Sequence, residues 1–163
     1  MNKVLVTGGA GFIGSNLVDR LITDGCEVIV IDNLVQGKKE FVNEKALFIE
    51  ADIRDKNSIE KYFLGVDFVF HLAALPSVQL SFDKPLEFNE VNVTGLLNVL
   101  YLSHYYDVKR VVFSSSAAIY GNQSDELLTE DLNHYPMCPY SFQKLIGEHY
   151  CQFFSKTYNL DTV

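Results

Sequence analysis

The chain has 163 residues, 48% of them apolar, and a formal net charge of -8. That length supports one well-buried domain, 1–163, and leaves no room for a second of full size. Its acidic and basic residues are scattered and net negative, which argues against nucleic-acid or acidic-membrane partners and favours a small molecule.

Met1-Asn2-Lys3 passes straight into Val4-Leu5-Val6 without a signal-peptide pattern, and no apolar run is long enough for a bilayer, so a cytoplasmic location is expected. In chain order, the apolar and β-branched runs predict strands at 3–7, 27–32, 46–50, 68–72 and 110–114. Helical patterns fall between them, at 12–24, 57–63, 86–106 and 140–158. The alternation predicts an α/β fold, a Rossmann-like doubly wound parallel sheet with helices on both faces. The polar stretch 122–139, with Pro136 and Pro139, is expected as a surface loop, and Asp161-Thr162-Val163 as the opening of a sixth strand. Cys26, Cys138 and Cys151 lack metal-ligand or CxxC spacing, so they are expected as reduced structural thiols, and no metal site is expected.

Between the first strand and first helix lies Thr7-Gly8-Gly9-Ala10-Gly11-Phe12-Ile13-Gly14. Gly8 permits a tight turn, Gly11 a close approach of backbone to a diphosphate, and Gly14 close packing of helix on strand. The amides opening that helix then face the phosphates. Asp32 ends the second strand, 18 residues beyond Gly14, where a carboxylate accepts hydrogen bonds from the ribose hydroxyls and repels a 2′-phosphate. No arginine follows closely, and Lys38 and Lys39 come later on a loop, so NAD is favoured over NADP.

Tyr140 and Lys144 are four apart at the start of a helix, which places phenol and ammonium on one face about 5–6 Å apart at Cβ. The ammonium and an oxidised nicotinamide both favour the phenolate form, which can take a proton from a hydroxyl while hydride leaves the same carbon. Ser114-Ser115-Ser116 closes the fifth strand at the carboxyl edge of the sheet, where ligands of doubly wound folds bind.

These blocks, together with Asp32-Asn33, Ala51-Asp52-Ile53, His71-Leu72-Ala73-Ala74, Asn92-Val93-Thr94-Gly95 and the segment from Ser114 to Gly121, resemble the extended short-chain dehydrogenases of the NAD-dependent epimerase/dehydratase family, typified by the UDP-glucose 4-epimerases. The resemblance covers essentially the whole chain. It implies that Asp52 and Ile53 hold the adenine, that Leu72, Ala73 and Ala74 line the cofactor groove, and that Asn33, Asn92 and Ser114 are further cofactor-site residues, with Phe12 and Ile13 at the phosphates. It also implies that Ser116, the third of the triplet, is the catalytic serine beside Tyr140 and Lys144, and that Ser77, with Ser116 and Tyr140, faces a nucleotide-sugar substrate. His71 is read as a packed strand residue beside the site.

Relatives that eliminate water carry Asp-Glu after the catalytic serine or threonine; here Ala117 and Ala118 stand there, which favours 4-epimerisation over dehydration. The family's chains continue through a further strand and a small substrate domain, so a sheet incomplete at its C-terminal edge and a missing substrate domain are expected. Two alternatives to an epimerase therefore stay open: a truncated NAD-binding module without turnover, and another sugar-nucleotide dehydratase or dehydrogenase of the same family. Apolar side chains on 140–158 (Phe142, Leu145, Ile146, Tyr150, Phe153, Phe154) exceed what one sheet face needs, and the helix 86–106 is similarly apolar. In the family the two helices form a dimer interface, so a homodimer is expected.

Overall fold

The computed structural model describes residues 1–123 and 127–163; part of the expected 122–139 loop, residues 124–126, lies outside the described residues. Six strands form one sheet: β1 (Lys3–Thr7), β2 (Glu27–Asp32), β3 (Leu47–Glu50), β4 (Phe68–His71), β5 (Arg110–Phe113) and β6 (Asp161–Thr162). All pairings are parallel and the order is β3-β2-β1-β4-β5-β6. The order reverses direction between β1 and β4, and a crevice opens there at the carboxyl ends of the strands.

Alternate side chains of the central strands feed two cores, which is why the interiors of these strands are apolar on both faces. Leu5, Ile29, Ile31, Val69 and Val111 join a large core with Leu96, Val99 and Leu100 of α5 (Leu96–Tyr105) and Phe154 of α6 (Pro139–Tyr158). Val4, Val6, Val28 and Val30 face the other way, against Val18, Leu17 and Leu21 of α1 (Phe12–Thr23). Phe63, wholly buried, belongs to the larger core. Among the described residues no helix is long and apolar enough to cross a membrane.

The strands at 46–50, 68–72 and 110–114 are each one residue shorter than expected: β4 and β5 end one residue early, where the backbone turns into the crevice, and β3 starts one residue late, because the amide of Ala46 still closes a turn onto the carbonyl of Asn43. The expected helix 57–63 divides into α2 (Lys56–Ile59) and a tighter 3₁₀ turn, Glu60–Phe63; the Asp55 carboxylate caps α2, accepting from the amides of Asn57 and Ser58. A short α3 (Val78–Asp83), capped by the Ser77 hydroxyl, precedes the expected helix 86–106. That helix is itself three pieces: α4 (Pro85–Asn89), a wider-turned π segment over Glu90–Gly95, and α5. π segments within helices recur at functional sites, where the extra residue per turn re-aims side chains.

The thiol of Cys138 accepts from the amide of Ser141 at 3.3 Å while the Ser141 hydroxyl accepts from the amide of Cys138 at 3.1 Å, a reciprocal cap that starts α6. Pro139 follows at the first helical position, where its missing N–H costs nothing. The sixth strand forms: β6 pairs with β5, and beyond it the amide of Phe113 donates to the carbonyl of Val163 at 2.7 Å. Phe154 belongs to the buried core and Tyr150 packs against it, so of the aromatic side chains expected on the surface of this helix only Phe142 and Phe153 are exposed.

Candidate functional site: a dinucleotide cavity at the sheet's switch point

The crevice is a cavity of about 590 Å³ running from the end of β2 across β1 and β4 to β5, a size within the usual range for small-molecule sites. Its middle is the turn from β1 to α1. Gly8 has φ +73, and a Cβ there would stand 2.6 Å from the amide nitrogen of Ala73, on the turn after β4. A Cβ on Gly14 would run into the carbonyl oxygen of Gly8. Backbone therefore lies directly against backbone, and only glycine fits at both positions. No side chain caps α1, and Phe12, Ile13 and Gly14 line the cavity, so the first-turn amides and the positive end of the helix face it. Gly11 lines it as well, its amide donating to the Gly8 carbonyl at 3.2 Å. This uncapped helix end fits a diphosphate.

On the β2–β3 side the cavity meets Asp32 and Asn33. The Asp32 carboxylate accepts from the amide of Ala10 at 3.0 Å and from that of Leu34 at 2.9 Å, which fixes it at the rim with lone pairs left over. The following loop closes this end with Val35, Gln36 and Gly37, none of them anticipated from the sequence; a Cβ on Gly37 would stand 2.8 Å from that of Ala10, and this tight packing is the one local signal for it. Lys38 and Lys39 are outside the lining: Lys38 pairs with Glu40 and Lys39 lies over Phe48.

Ile53 lines the floor, but Asp52 does not. The Asp52 carboxylate accepts four hydrogen bonds: from the amide, Nε and Nη2 of Arg54 and from Nδ2 of Asn33. These partners, Arg54 above all, hold its carboxyl down at about 2. They fill the lone-pair positions a carboxylate has. Arg54, missed from the sequence, reaches the cavity wall itself.

Toward β5 the lining passes through Leu72, Ala73 and Ala74 to Ser114, Ser115, Tyr140 and Lys144. Capping at Cys138 starts α6 so that Tyr140 and Lys144 point back over the end of β5. The Lys144 ammonium donates to the carbonyl of Ser114 at 2.7 Å, lies 4.8 Å from the centre of the Phe113 ring and 6.0 Å from that of Tyr140. Burial brings Lys144 from an ordinary 10.5 down to about 8. His71, wholly buried, shares a 2.8 Å hydrogen bond through Nδ1 with the Thr7 hydroxyl, which also accepts from the amide of Ala73. Burial and then the nearby Lys144 push the imidazole down to about 3, so it stays neutral beside the ammonium.

Three further sequence-singled residues stand beside the cavity rather than in its lining. Asn92 is buried; its side chain accepts from the amide of Leu75 at 2.8 Å and donates to the Leu75 carbonyl and to Gln143 Oε1, tying the turn after β4 to α6. Ser77 caps α3. Ser116 starts a 3₁₀ turn, Ala117–Tyr120, its hydroxyl accepting from the amide of Ala118, and lines a neighbouring concavity of about 630 Å³. Ser115 borders both concavities, donating to Glu148 Oε1 at 2.5 Å. Among the described residues no cluster with metal-ligating composition occurs.

The buried ammonium has a thermodynamic consequence. Between pH 8 and 10.5 the unfolded chain holds the Lys144 proton and the folded chain has released it, so stability rises with pH across that window and the cost of burying the charge is fully present below it. Relative to Lys144→Met, wild type should gain about 3 kcal/mol on going from pH 8 to pH 10.5. Denaturant unfolding of both proteins across that range checks this; parallel curves would contradict it.

The chain matches the family model for the NAD dependent epimerase/dehydratase family over residues 4–163. It is 43% identical over 162 residues to a putative UDP-glucose 4-epimerase of Methanocaldococcus jannaschii, covering 97% of this chain and 52% of the relative. The UDP-glucose 4-epimerase of Thermotoga maritima, solved with UDP-glucose, superposes with a TM-score of 0.95 at 43% identity, covering 98% of this chain and 53% of that one. That of Thermus thermophilus, solved with NAD, gives 0.94 at 40% identity, covering 98% and 53%. The chain thus spans about half the length of the relatives it matches. With a six-stranded parallel sheet in Rossmann order, a glycine loop at its switch point and this match along nearly its whole length, the protein belongs to the NAD-dependent epimerase/dehydratase family.

Proposed function

We propose that this chain is the cofactor-binding and hydride-transfer part of a NAD-dependent sugar-nucleotide 4-epimerase. The observation that carries the reading is one continuous cavity with an uncapped helix end and Asp32 at one side and Tyr140 and Lys144 at the other. Bound there, NAD would supply a hydride acceptor and return the hydride to the opposite face of the sugar. Asp32 would take the ribose hydroxyls and disfavour a 2′-phosphate, which selects NAD over NADP. The first-turn amides would hold the diphosphate.

Tyr140, as the phenolate that the neighbouring Lys144 ammonium favours, takes the proton of the sugar hydroxyl while the hydride of the same carbon leaves for the cofactor, so that hydroxyl becomes a carbonyl and the phenolate a phenol. Lys144 is itself oriented by the Ser114 carbonyl. Ser116, whose hydroxyl accepts from the amide of Ala118, donates its own proton to the sugar oxygen. Ala117 and Ala118 offer no acid or base for water elimination, which favours epimerisation over dehydration. A nucleotide-sugar of the UDP-hexose type, meeting Ser77 as well as Ser116, is the substrate. A cytoplasmic location accords with three unpaired thiols.

The reading includes a homodimer through the helical stretch 86–106, which contains α5, and through α6. Tyr101 and Tyr105 on α5 and Phe142 and Phe153 on α6 are each about half exposed, more aromatic surface than a solvated helix pair ordinarily carries. Light scattering should give twice the 18.5 kDa chain mass, and Phe153→Glu should lower it toward one chain; a monomeric wild type contradicts the dimer.

For the chemistry, Tyr140→Phe and Ser116→Ala should retain NAD while interconversion of UDP-glucose and UDP-galactose falls by roughly 10²–10⁴-fold. Interconversion unaffected by Tyr140→Phe would refute the role of the phenol. A wild type that binds NAD and converts no UDP-hexose would favour the alternative of a nucleotide-binding module.

A further inference from the structure

The loop that floors the β2–β3 end of the cavity receives its hold from the helix beneath it. After β3 the amide of Ala51 still pairs with the Asp32 carbonyl at 3.2 Å. Beyond that point the main chain turns over α5, and the carbonyls of Ile53 and Arg54 are both taken by one side chain: Asn98 Nδ2 donates to the first at 2.9 Å and to the second at 3.0 Å. A carboxamide nitrogen has two hydrogens, so a single group satisfies two consecutive carbonyls, and its orientation follows because both partners are acceptors. Three residues earlier on the same helix face, a Cβ on Gly95 would stand 2.5 Å from Cδ1 of Ile53, so the missing side chain is the slot that Ile53 fills. Ile53 itself is 5% exposed and lines the cavity, whereas Asn98 lies outside its lining.

Position in the sheet says which half of a dinucleotide this floor meets. β3 pairs with β2, Glu50 opposite Asp32, whereas Tyr140 and Lys144 stand over β5 on the far side of the switch point. With the diphosphate at the start of α1, the floor formed by Ile53 lies under the adenosine half.

We propose that Asn98 is a positioning residue for that half: it clamps the Ile53–Arg54 peptide against α5 and so fixes the height at which Ile53 meets the base. The proposal rests on the reading of the cavity as a NAD site. Asn98→Asp keeps the shape and replaces both donated bonds with repulsion from two carbonyls. Gly95→Ala disturbs the same loop independently, by pushing Ile53 out of its slot. Thr94→Ala, at an exposed position next to Gly95, serves as the control.

The test is titration of the whole chain with 5′-AMP and nicotinamide mononucleotide separately, followed by NMR, with thermal unfolding of each variant alongside. Asn98→Asp should weaken 5′-AMP by about tenfold and leave nicotinamide mononucleotide unchanged, with the amide signals of Ile53 and Arg54 displaced. Gly95→Ala should show the same selectivity at smaller size. Unchanged 5′-AMP affinity in both variants overturns the proposal, and so does an equal loss for the two mononucleotides, which would mark a general structural effect. If Asn98→Asp does not fold, Gly95→Ala decides on the same criteria. A wild type that binds neither 5′-AMP nor NAD would refute the cofactor reading and this inference with it, whereas a binding wild type with unresponsive variants removes only the role of Asn98.

Discussion

The cavity depends on main chain packed against main chain where the sheet changes direction. Gly8 sits so close to the Leu72–Ala73 peptide, and Gly14 so close to Gly8, that a methyl group at either would displace backbone rather than a side chain that could swing away. That contact brings β1 and the turn after β4 together at the carboxyl end of the sheet, and α1 starts there on Gly11, which has no side chain to cap it. The helix end thereby keeps its amides for a ligand, and everything else in the site is arranged at a fixed distance from it.

The walls are held by polar side chains, each satisfied by a partner on another element. Thr7 links the imidazole of His71 to the amide of Ala73, so β1, β4 and the turn after β4 are tied together. Asn92 ties that turn to Gln143 on α6, and Lys144 returns from α6 to the Ser114 carbonyl. Such buried networks are rigid when complete and costly when one member is lost. Lys144 illustrates the balance: burial penalises its charge, yet the carbonyl, the Phe113 face and a neutral His71 make the ammonium tolerable where a phenol needs a cation beside it.

Much of this was legible in the sequence because it lies in local pattern. Strands β1 and β2 have unbroken apolar centres, Val4-Leu5-Val6 and Val28-Ile29-Val30-Ile31, bounded by polar or charged residues, so their limits could be read directly. The glycine loop, Asp32, Tyr140 and Lys144 could be placed because spacing along one strand or helix determines which way each points. The divided helix was not legible: nothing in the run from Pro85 to Tyr105 marks where Asn92 must turn toward Leu75, since that demand comes from a distant loop. Asp52 shows the same limit. The resemblance puts it with Ile53 at the adenine, and only the fold reveals that Arg54 and Asn33 occupy its carboxylate. Asn98 carried no signal, because its two partners are carbonyls forty-five and forty-four residues away.

The central claim is that the amides opening α1 receive the diphosphate of NAD, and it can be observed directly by following the backbone amide signals of Phe12, Ile13 and Gly14 during titration with NAD. These three should shift together and saturate with the bound fraction, and Gly14→Val should abolish the response. Saturable binding of NAD that leaves all three unmoved would contradict the account.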